Sequence, residues 1–241
     1  MSKRIIFTEE DLIDNEVKRF DIINHLIKKY KFTDYLEIGV STGQTFEAVN
    51  CKNKIGVDPG NDYKNITYNV TSDEFFETIC PSLNKIFGVI FIDGLHINEQ
   101  VQKDINNSLK YISNRGFIVL HDCNPLTEKH QTPHPVLTYY DGEQNNYVKF
   151  GIDKDYDANL YKIKNAWNGD VWKAFVHFRQ TRKDLSMFTV DTDWGLGIIH
   201  KGAQKLYPHV ECLDYNYFDS HRQELLNLKS TDEFFKLYHI K

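Results

Sequence analysis

Tyr35-Leu36-Glu37-Ile38-Gly39-Val40-Ser41-Thr42-Gly43-Gln44-Thr45 decides how this chain is read. An apolar run ends at Gly39, a second glycine follows at Gly43, and a polar stretch opens after it. The segment therefore reads as a buried strand, a glycine turn and the start of a helix. Such a turn brings backbone N–H groups and a helix N-terminus up to a ligand, and glycine removes the Cβ that would hold the ligand off. Taken alone the pattern is common to many nucleotide folds.

Working outward, three more apolar runs end on polar groups. Lys54-Ile55-Gly56-Val57 ends at Asp58, Val89-Ile90-Phe91-Ile92 at Asp93, and Gly116-Phe117-Ile118-Val119-Leu120 at His121-Asp122. In an open parallel sheet the carboxyl ends of the strands border one crevice, so these groups are expected to meet there. Helical patterns separate the runs. Thr71-Ser72-Asp73-Glu74 reads as an N-cap with acids in the first turn, and Val101, Ile105, Leu109 and Ile112 lie on one face of a helix over about Asn98–Ile112. A short strand is expected at Ile66–Val70. Alternating strands and helices predict an α/β, doubly wound, mostly parallel sheet. A helix over about Gly169–Thr181 and a hairpin, Met187–Val190 with Gly195–Ile199 around Asp191-Thr192-Asp193-Trp194, should close it with an antiparallel pair.

Three regions flank or interrupt that pattern. Residues 1–30 read as an N-terminal helical segment, with Ile13, Val17, Phe20, Ile23, Ile27 and Tyr30 forming one stripe from about Glu9 onward. Residues 31–202 form the main domain, and 203–241 a helical tail, helical from about His221 to Tyr238. After Asp122 the periodicity stops. Residues 123–165 hold Pro125, Pro133, Pro135, His130, His134 and Tyr139-Tyr140, and read as a lid-like, acceptor-binding insertion after strand five. The stretch Glu128–His134 fits either an acceptor site or a stiff surface loop.

Bulk properties narrow the class. The chain has 241 residues, 41% of them hydrophobic and 14% aromatic, which allows a substantial core and an aromatic pocket. A net charge of −5 with no basic block argues against nucleic acid as the partner. The opening residues hold too short an apolar run for a signal peptide, and no run approaches a membrane span. Cys51, Cys80, Cys123 and Cys212 show no C-x-x-C spacing, so a reducing cytoplasm is the simplest compartment. A small-molecule or glycan acceptor is the expected partner, and a homo-oligomer is compatible with the sequence.

Asp58 lies about twenty residues beyond the glycine turn, where a carboxylate accepts hydrogen bonds from ribose hydroxyls. Asp58-Pro59-Gly60 is also a good turn sequence. Glu37 is an acid inside an apolar strand and needs a partner: the ammonium of an amino-acid-bearing cofactor, or an internal donor. Asp93, His121 and Asp122 offer two carboxylates and an imidazole to one cation; the oxygens suit Mg²⁺ or Ca²⁺, and the histidine tilts the balance toward Mn²⁺ or another transition metal. Alternatively His121 and Asp122 satisfy each other. His96, three residues past Asp93, has the ordinary pKa of a general base, or is a packing histidine. Trp194 and Asp193 fit a sugar-stacking site or the core.

The order Glu37-Ile38-Gly39-x-x-x-Gly43-x-Thr45, then Asp58, Asp93-Gly94-Leu95-His96 and His121-Asp122 resembles the Rossmann-like, class I S-adenosylmethionine-dependent methyltransferases. Within them it is most similar to the small O-methyltransferases of the family-24-like group that acts on macrolide and aminocoumarin sugars. The resemblance covers about residues 30–200. It implies S-adenosylmethionine as cofactor, held by Glu37, Gly39, Ser41, Gly43, Thr45, Asp58, Ser72, Asp73 and Asp93. It implies His96 as base, with Asp93 and His121 beside it as catalytic groups, and Asp93, His121 and Asp122 as ligands of Mg²⁺ or Mn²⁺. Metal-using relatives carry a carboxylate where this chain has His121. The implied activity is O-methylation of a sugar or of a glycan or secondary-metabolite precursor, such as a polysaccharide unit. Two alternatives stand beside it: a nicotinamide-dependent oxidoreductase, against which the Gly-x-x-x-Gly spacing speaks, and a non-catalytic cofactor-binding module.

Overall fold

A computed structural model describes residues 17–131 and 167–240. Glu9–Glu16 of the expected first helix, and Pro133, His134, Pro135 and Tyr139-Tyr140 of the expected insertion, lie outside the described residues. One sheet organises the fold. Its strands are β1 (Asp34–Ile38), β2 (Asn53–Val57), β3 (Phe87–Ile92), β4 (Ile112–Leu120), β5 (Leu185–Val190) and β6 (Leu196–Lys201), in the order β2-β1-β3-β4-β6-β5. The first four are parallel, and β6 runs antiparallel between β4 and β5. This is the expected Rossmann-like sheet with its closing antiparallel pair.

Side chains alternate across the sheet and feed two cores. On one face Leu36, Ile38, Ile90, Ile92, Ile118 and Leu120 pack against Val101 and Ile105 of α4 (Asn98–Tyr111) and Phe175 of α5 (Val171–Thr181). On the other, Tyr35, Val89, Phe91, Phe117, Val119 and Ile198 pack against Ile22, Ile23, Leu26 and Ile27 of α1 (Arg19–Tyr30). Every residue of β3 is buried, as helices on both faces require.

The structure departs from the sequence pattern in four places. The strand expected at Ile66–Val70 shrinks to one bridge, in which Tyr68 N donates to Gly56 O and Tyr68 O accepts from Asp58 N. Ile66, Tyr68 and Val70 still pack against the cores, but backbone pairing with β2 is confined to Tyr68. Helix α3 (Ser72–Glu74), opened by Thr71, whose side chain accepts from Glu74 N, runs on into one π turn over Phe75–Ile79. Ile112, expected to end α4, begins β4 instead. The tail forms two helices, Tyr215–Leu226 and Thr231–Leu237, because Asn227 turns left-handed (φ 48°) and Ser230 builds a capping box with Glu233. Of the described part of the insertion, Glu128–Gln131 forms a 3₁₀ turn.

Candidate active site

A cavity of about 750 Å³ opens at the carboxyl edge of the parallel strands. Each strand end contributes to it: Gly39 and Ser41 after β1, Asp58 after β2, Asp93 and His96 after β3, His121 and Asp122 after β4. Ser72 and Asp73 border it from the capped helix, and Arg19, Trp167 and Trp194 border it from elsewhere in the chain. The last follows from topology. Because β6 runs antiparallel beside β4, its first residues lie at the carboxyl edge, where Asn124 N donates to Trp194 O at 2.9 Å.

At the β1–β2 end the glycine turn meets its neighbours closely. Gly39 has φ 86°, and a Cβ there would lie 2.1 Å from the Asp93 carbonyl oxygen, so only glycine lets the ends of β1 and β3 pack this way. Asp58 Oδ2 accepts from Ser41 N at 2.7 Å and Oδ1 from Gly60 N at 2.6 Å. Both carboxylate oxygens keep a second lone pair. Gln100 of α4 donates to Ser72 Oγ (3.1 Å) and Asp73 Oδ1 (2.9 Å), and with Lys103 holds the Asp73 carboxyl below its usual range.

Other expected cofactor contacts sit differently. Glu37, Gly43 and Thr45 do not border the cavity. Gly43 faces the Tyr63 ring, and Thr45 lies in the short helix α2 (Gln44–Ala48). Glu37 is 1% exposed and accepts from the Tyr35 hydroxyl at 2.5 Å, the internal donor that a buried acid needs. Burial pushes its carboxyl up to about 8, against the pull of that hydrogen bond.

At the β3–β4 end the polar groups form one network. Asp93 Oδ1 faces His121 Nδ1 (3.0 Å) and His96 Nε2 (3.2 Å), and Oδ2 accepts from Arg19 Nη1 at 2.7 Å. Asp122 Oδ2 is 2.8 Å from His121 Nδ1 and 3.3 Å from His96 Nδ1, while Oδ1 accepts from Asn168 Nδ2 at 2.6 Å. Asp193 takes Arg19 Nε and Nη2 at 2.8 and 2.9 Å, and its Oδ1 lies 3.7 Å from His121 Nε2.

Burial would lower the pKa of His121, but the charges of Asp122 and Asp93 raise it well above the ordinary value. The two carboxylates thus favour a proton on His121 Nδ1, which faces both of them. Burial also opposes the charge of His96, and Asp93, Asp122 and the Trp167 carbonyl together raise its pKa. Asp93 is held far below the usual carboxylate range, because His121 and His96 outweigh its burial.

Backbone conformation at this edge is uncommon. Ser41, Asp122, Asp193 and Trp194 all have positive φ, between 45° and 64°. Non-glycine residues adopt that region at a cost of about 1 kcal/mol or more each, and such residues cluster at functional sites. Gly169 (φ 59°) belongs to the same design: a Cβ there would lie 1.9 Å from the His96 carbonyl oxygen.

The sequence reading brought together Asp58, Asp93, His96, His121, Asp122, Ser72 and Asp73. It missed Arg19, Gln100, Trp167 and Asn168, and it left Asp193 and Trp194 of the hairpin turn between a sugar-stacking site and the core. Gln100 lies one helical turn from Asp104 and carries no motif of its own. Asn168-Gly169 is a turn dipeptide, the one local signal that could have drawn attention to that stretch.

The donor set bears directly on a divalent cation. Ligand atoms of Asp93, His96 and Asp122 lie within 4.8 Å of one another, and His121 is not in that triad. Yet all four carboxylate oxygens of Asp93 and Asp122 already face a nitrogen donor. One of those donors, Arg19, carries a permanent positive charge. As arranged, these residues do not fit a resident divalent ion.

Comparisons with known proteins agree with the geometry. A family model described as a methyltransferase domain matches residues 36–123. No curated protein matches. Among solved structures, the methyltransferase PaMTH1 of Podospora anserina with S-adenosylhomocysteine bound is similar at 11% identity, with a TM-score of 0.50 over 84% of this chain and 100% of that one. An O-methyltransferase from Bacillus cereus, also in complex with S-adenosylhomocysteine, is 12% identical, with a TM-score of 0.45 over 80% of this chain and 86% of that one. TomG from Streptomyces achromogenes, an O-methyltransferase in complex with S-adenosylmethionine, is 13% identical, with a TM-score of 0.46 over 81% and 85%. At these identities the structures speak for the fold alone. Residues 36–123 match a methyltransferase domain, and they are set in a Rossmann-like, mostly parallel sheet.

Proposed function

We propose that this chain transfers a methyl group from S-adenosylmethionine to a hydroxyl of a sugar, within a glycan or a secondary-metabolite precursor. One observation carries the reading. A single cavity is bordered by a ribose-type acid, Asp58, by the polar pair Ser72 and Asp73, and by His96 backed by Asp93. S-adenosylmethionine supplies, when bound, a methyl group on a sulfonium. Asp58 accepts from the ribose hydroxyls with its remaining lone pairs, and Ser72, Asp73 and Gln100 offer donors and acceptors to the adenine.

The chain's share of the chemistry is orientation and proton removal. Holding an acceptor oxygen in line behind the S–CH₃ bond supplies several kcal/mol of the barrier. As the oxygen–carbon bond forms, the carbon–sulfur pair stays on sulfur and the hydroxyl proton passes to Nε2 of His96. A sugar hydroxyl is a weak acid, so its proton needs a base at that atom. The raised pKa of His96 makes it a stronger base than a free imidazole once it has lost its own proton. Support for a sugar acceptor comes from Trp167 and Trp194 beside a ring of carboxylates, since aromatic faces meet C–H groups while carboxylates accept from hydroxyls.

The test has two stages. Calorimetric titration with S-adenosylhomocysteine should give micromolar binding. Incubation with methyl-labelled S-adenosylmethionine and a panel of free and nucleotide-linked sugars should then yield an O-methyl product, identified by NMR. Binding with label transferred only to nitrogen or carbon acceptors would sink the sugar reading while keeping the cofactor.

A further inference from the structure

We propose that Arg19 is the resident cation of this site: its guanidinium, rather than a divalent metal ion, neutralises Asp93 and holds the acceptor oxygen. The proposal rests on the methyltransferase reading for the identity of that oxygen, and not for the exclusion of metal.

Arg19 is the first residue of α1, and two anchors fix it. Its backbone N–H and its Nε both donate to Asp193 Oδ2 at 2.8 Å, and Nη2 donates to Oδ1 at 2.9 Å, a two-pronged grip. Nη1 donates to Asp93 Oδ2 at 2.7 Å. The bonds to carboxylates use three of the five N–H donors that a guanidinium has, Nη1 also lies 3.3 Å from His121 Nδ1, and the residue borders the cavity. Asp193 does more than hold the side chain. Its carboxylate sits at the N-terminus of α1, where negative charge is favoured, so helix and side chain are anchored by one acid.

Guanidinium is a permanent charge, since it does not deprotonate in proteins. It therefore occupies this place at any working pH. A divalent ion among Asp93, His96 and Asp122 would have to displace Arg19 from Asp93 or lie beside it, like charge against like. In methyl transfer to oxygen a metal would polarise the hydroxyl and stabilise its developing negative charge. A fixed guanidinium N–H at the same acid does both by hydrogen bonding, as preorganised donors do for oxyanions elsewhere. Its planar fork also gives the oxygen a direction, which a mobile lysine would not.

Manganese tests this with the full chain after chelator treatment, following the free Mn²⁺ signal by electron paramagnetic resonance, with and without S-adenosylhomocysteine. Wild-type protein should leave the signal unchanged at micromolar Mn²⁺. Arg19→Met and Arg19→Gln, which uncover Asp93, should take up Mn²⁺ at least about tenfold more tightly than wild type. Arg19→Lys, which keeps the charge, should not. Adding Asp93→Asn to Arg19→Gln should abolish the gain.

Uptake by wild-type protein that Asp93→Asn removes would overturn the proposal. So would folded Met and Gln variants that take up none. Circular dichroism reads folding. If neither neutral variant folds, the wild-type result decides: uptake refutes, and its absence upholds. Titration of the same samples with S-adenosylhomocysteine is scored separately. A failure there sinks the methyltransferase reading and leaves the manganese result standing.

Discussion

The imidazole of His96 stacks on Trp167, with ring centroids 4.8 Å apart and planes inclined by 24°, and its Nδ1 donates to the Trp167 carbonyl oxygen at 2.9 Å. That bond leaves Nε2, 3.2 Å from Asp93 Oδ1, as the nitrogen that gains and loses the catalytic proton. His96→Gln keeps a polar side chain but no base. We expect kcat to fall by about 10²–10⁴, with S-adenosylhomocysteine affinity changed by no more than about threefold. Steady-state kinetics and calorimetry on one preparation check both.

The pH dependence follows from the direction of the His96 shift. Burial disfavours its charged form, but the Asp93 hydrogen bond and the charges of Asp122 and Asp93 prevail and raise the pKa above 6.5. The base is the neutral form. kcat/KM should therefore rise with pH through a value above the ordinary histidine range. Asp93→Asn removes the largest raising influence and should move that limb to lower pH. A limb that stays in place in the variant would assign it to another group.

Glu37 makes a separate prediction about stability. Its folded pKa of about 8 lies above the ordinary 4.5, so the folded chain keeps a proton that the unfolded chain has released. The burial penalty is absent below the unfolded value and grows until the folded value is passed. At about 1.4 kcal/mol per pH unit at most, wild-type protein should lose on the order of 2 kcal/mol between about pH 5 and pH 7 from this group. Glu37→Gln should lack that loss and be the more stable form at neutral pH. Urea unfolding of the cofactor-free protein at several pH values measures the slope.

Gly39→Ala should be severe. The added methyl would meet the Asp93 carbonyl oxygen, and φ 86° strains any side chain. Backbone of β3 must then shift, with a stability cost of roughly 1–3 kcal/mol. Because Asp93 carries His96, His121 and Arg19, activity should fall by more than the melting temperature alone would suggest. Thermal melts beside kinetics separate the two effects.

Asp58→Ala should weaken S-adenosylhomocysteine binding by about tenfold to one hundredfold, the value of a hydrogen bond to a charged group. It also frees Ser41 N and Gly60 N, which donate to different oxygens; Asp58→Asn keeps an acceptor for one of them, so a smaller loss in Asn than in Ala measures the share of turn support. An unchanged dissociation constant in both variants would remove Asp58 from the cofactor site.

The parallel strands were legible because burial on both faces writes an unbroken apolar run, as Val89–Ile92 shows. The strand ends were legible for the same reason: Asp58, Asp93 and His121-Asp122 mark where each run stops. The short strand at Ile66–Val70 was over-read, since Ile66, Tyr68 and Val70 alternate as a strand does while only Tyr68 pairs through its backbone. The tail was under-divided, because the break at Asn227 depends on a left-handed turn and on the Ser230 cap rather than on a loss of apolar spacing.

Residue order alone was enough for the sheet, the glycine turn and the row of polar groups along one edge, because each is a local pattern of burial that repeats every two or every three to four residues. The assembly of Arg19, Asp93 and Asp193 needed the tertiary structure. Arg19 meets partners 74 and 174 positions away. It does so only because α1 packs across the sheet face and β6 enters antiparallel between β4 and β5, carrying its turn to the carboxyl edge. A polar contact at such separation has no period, so nothing along the chain announces it, and the topology alone supplies the charge that Asp93 meets.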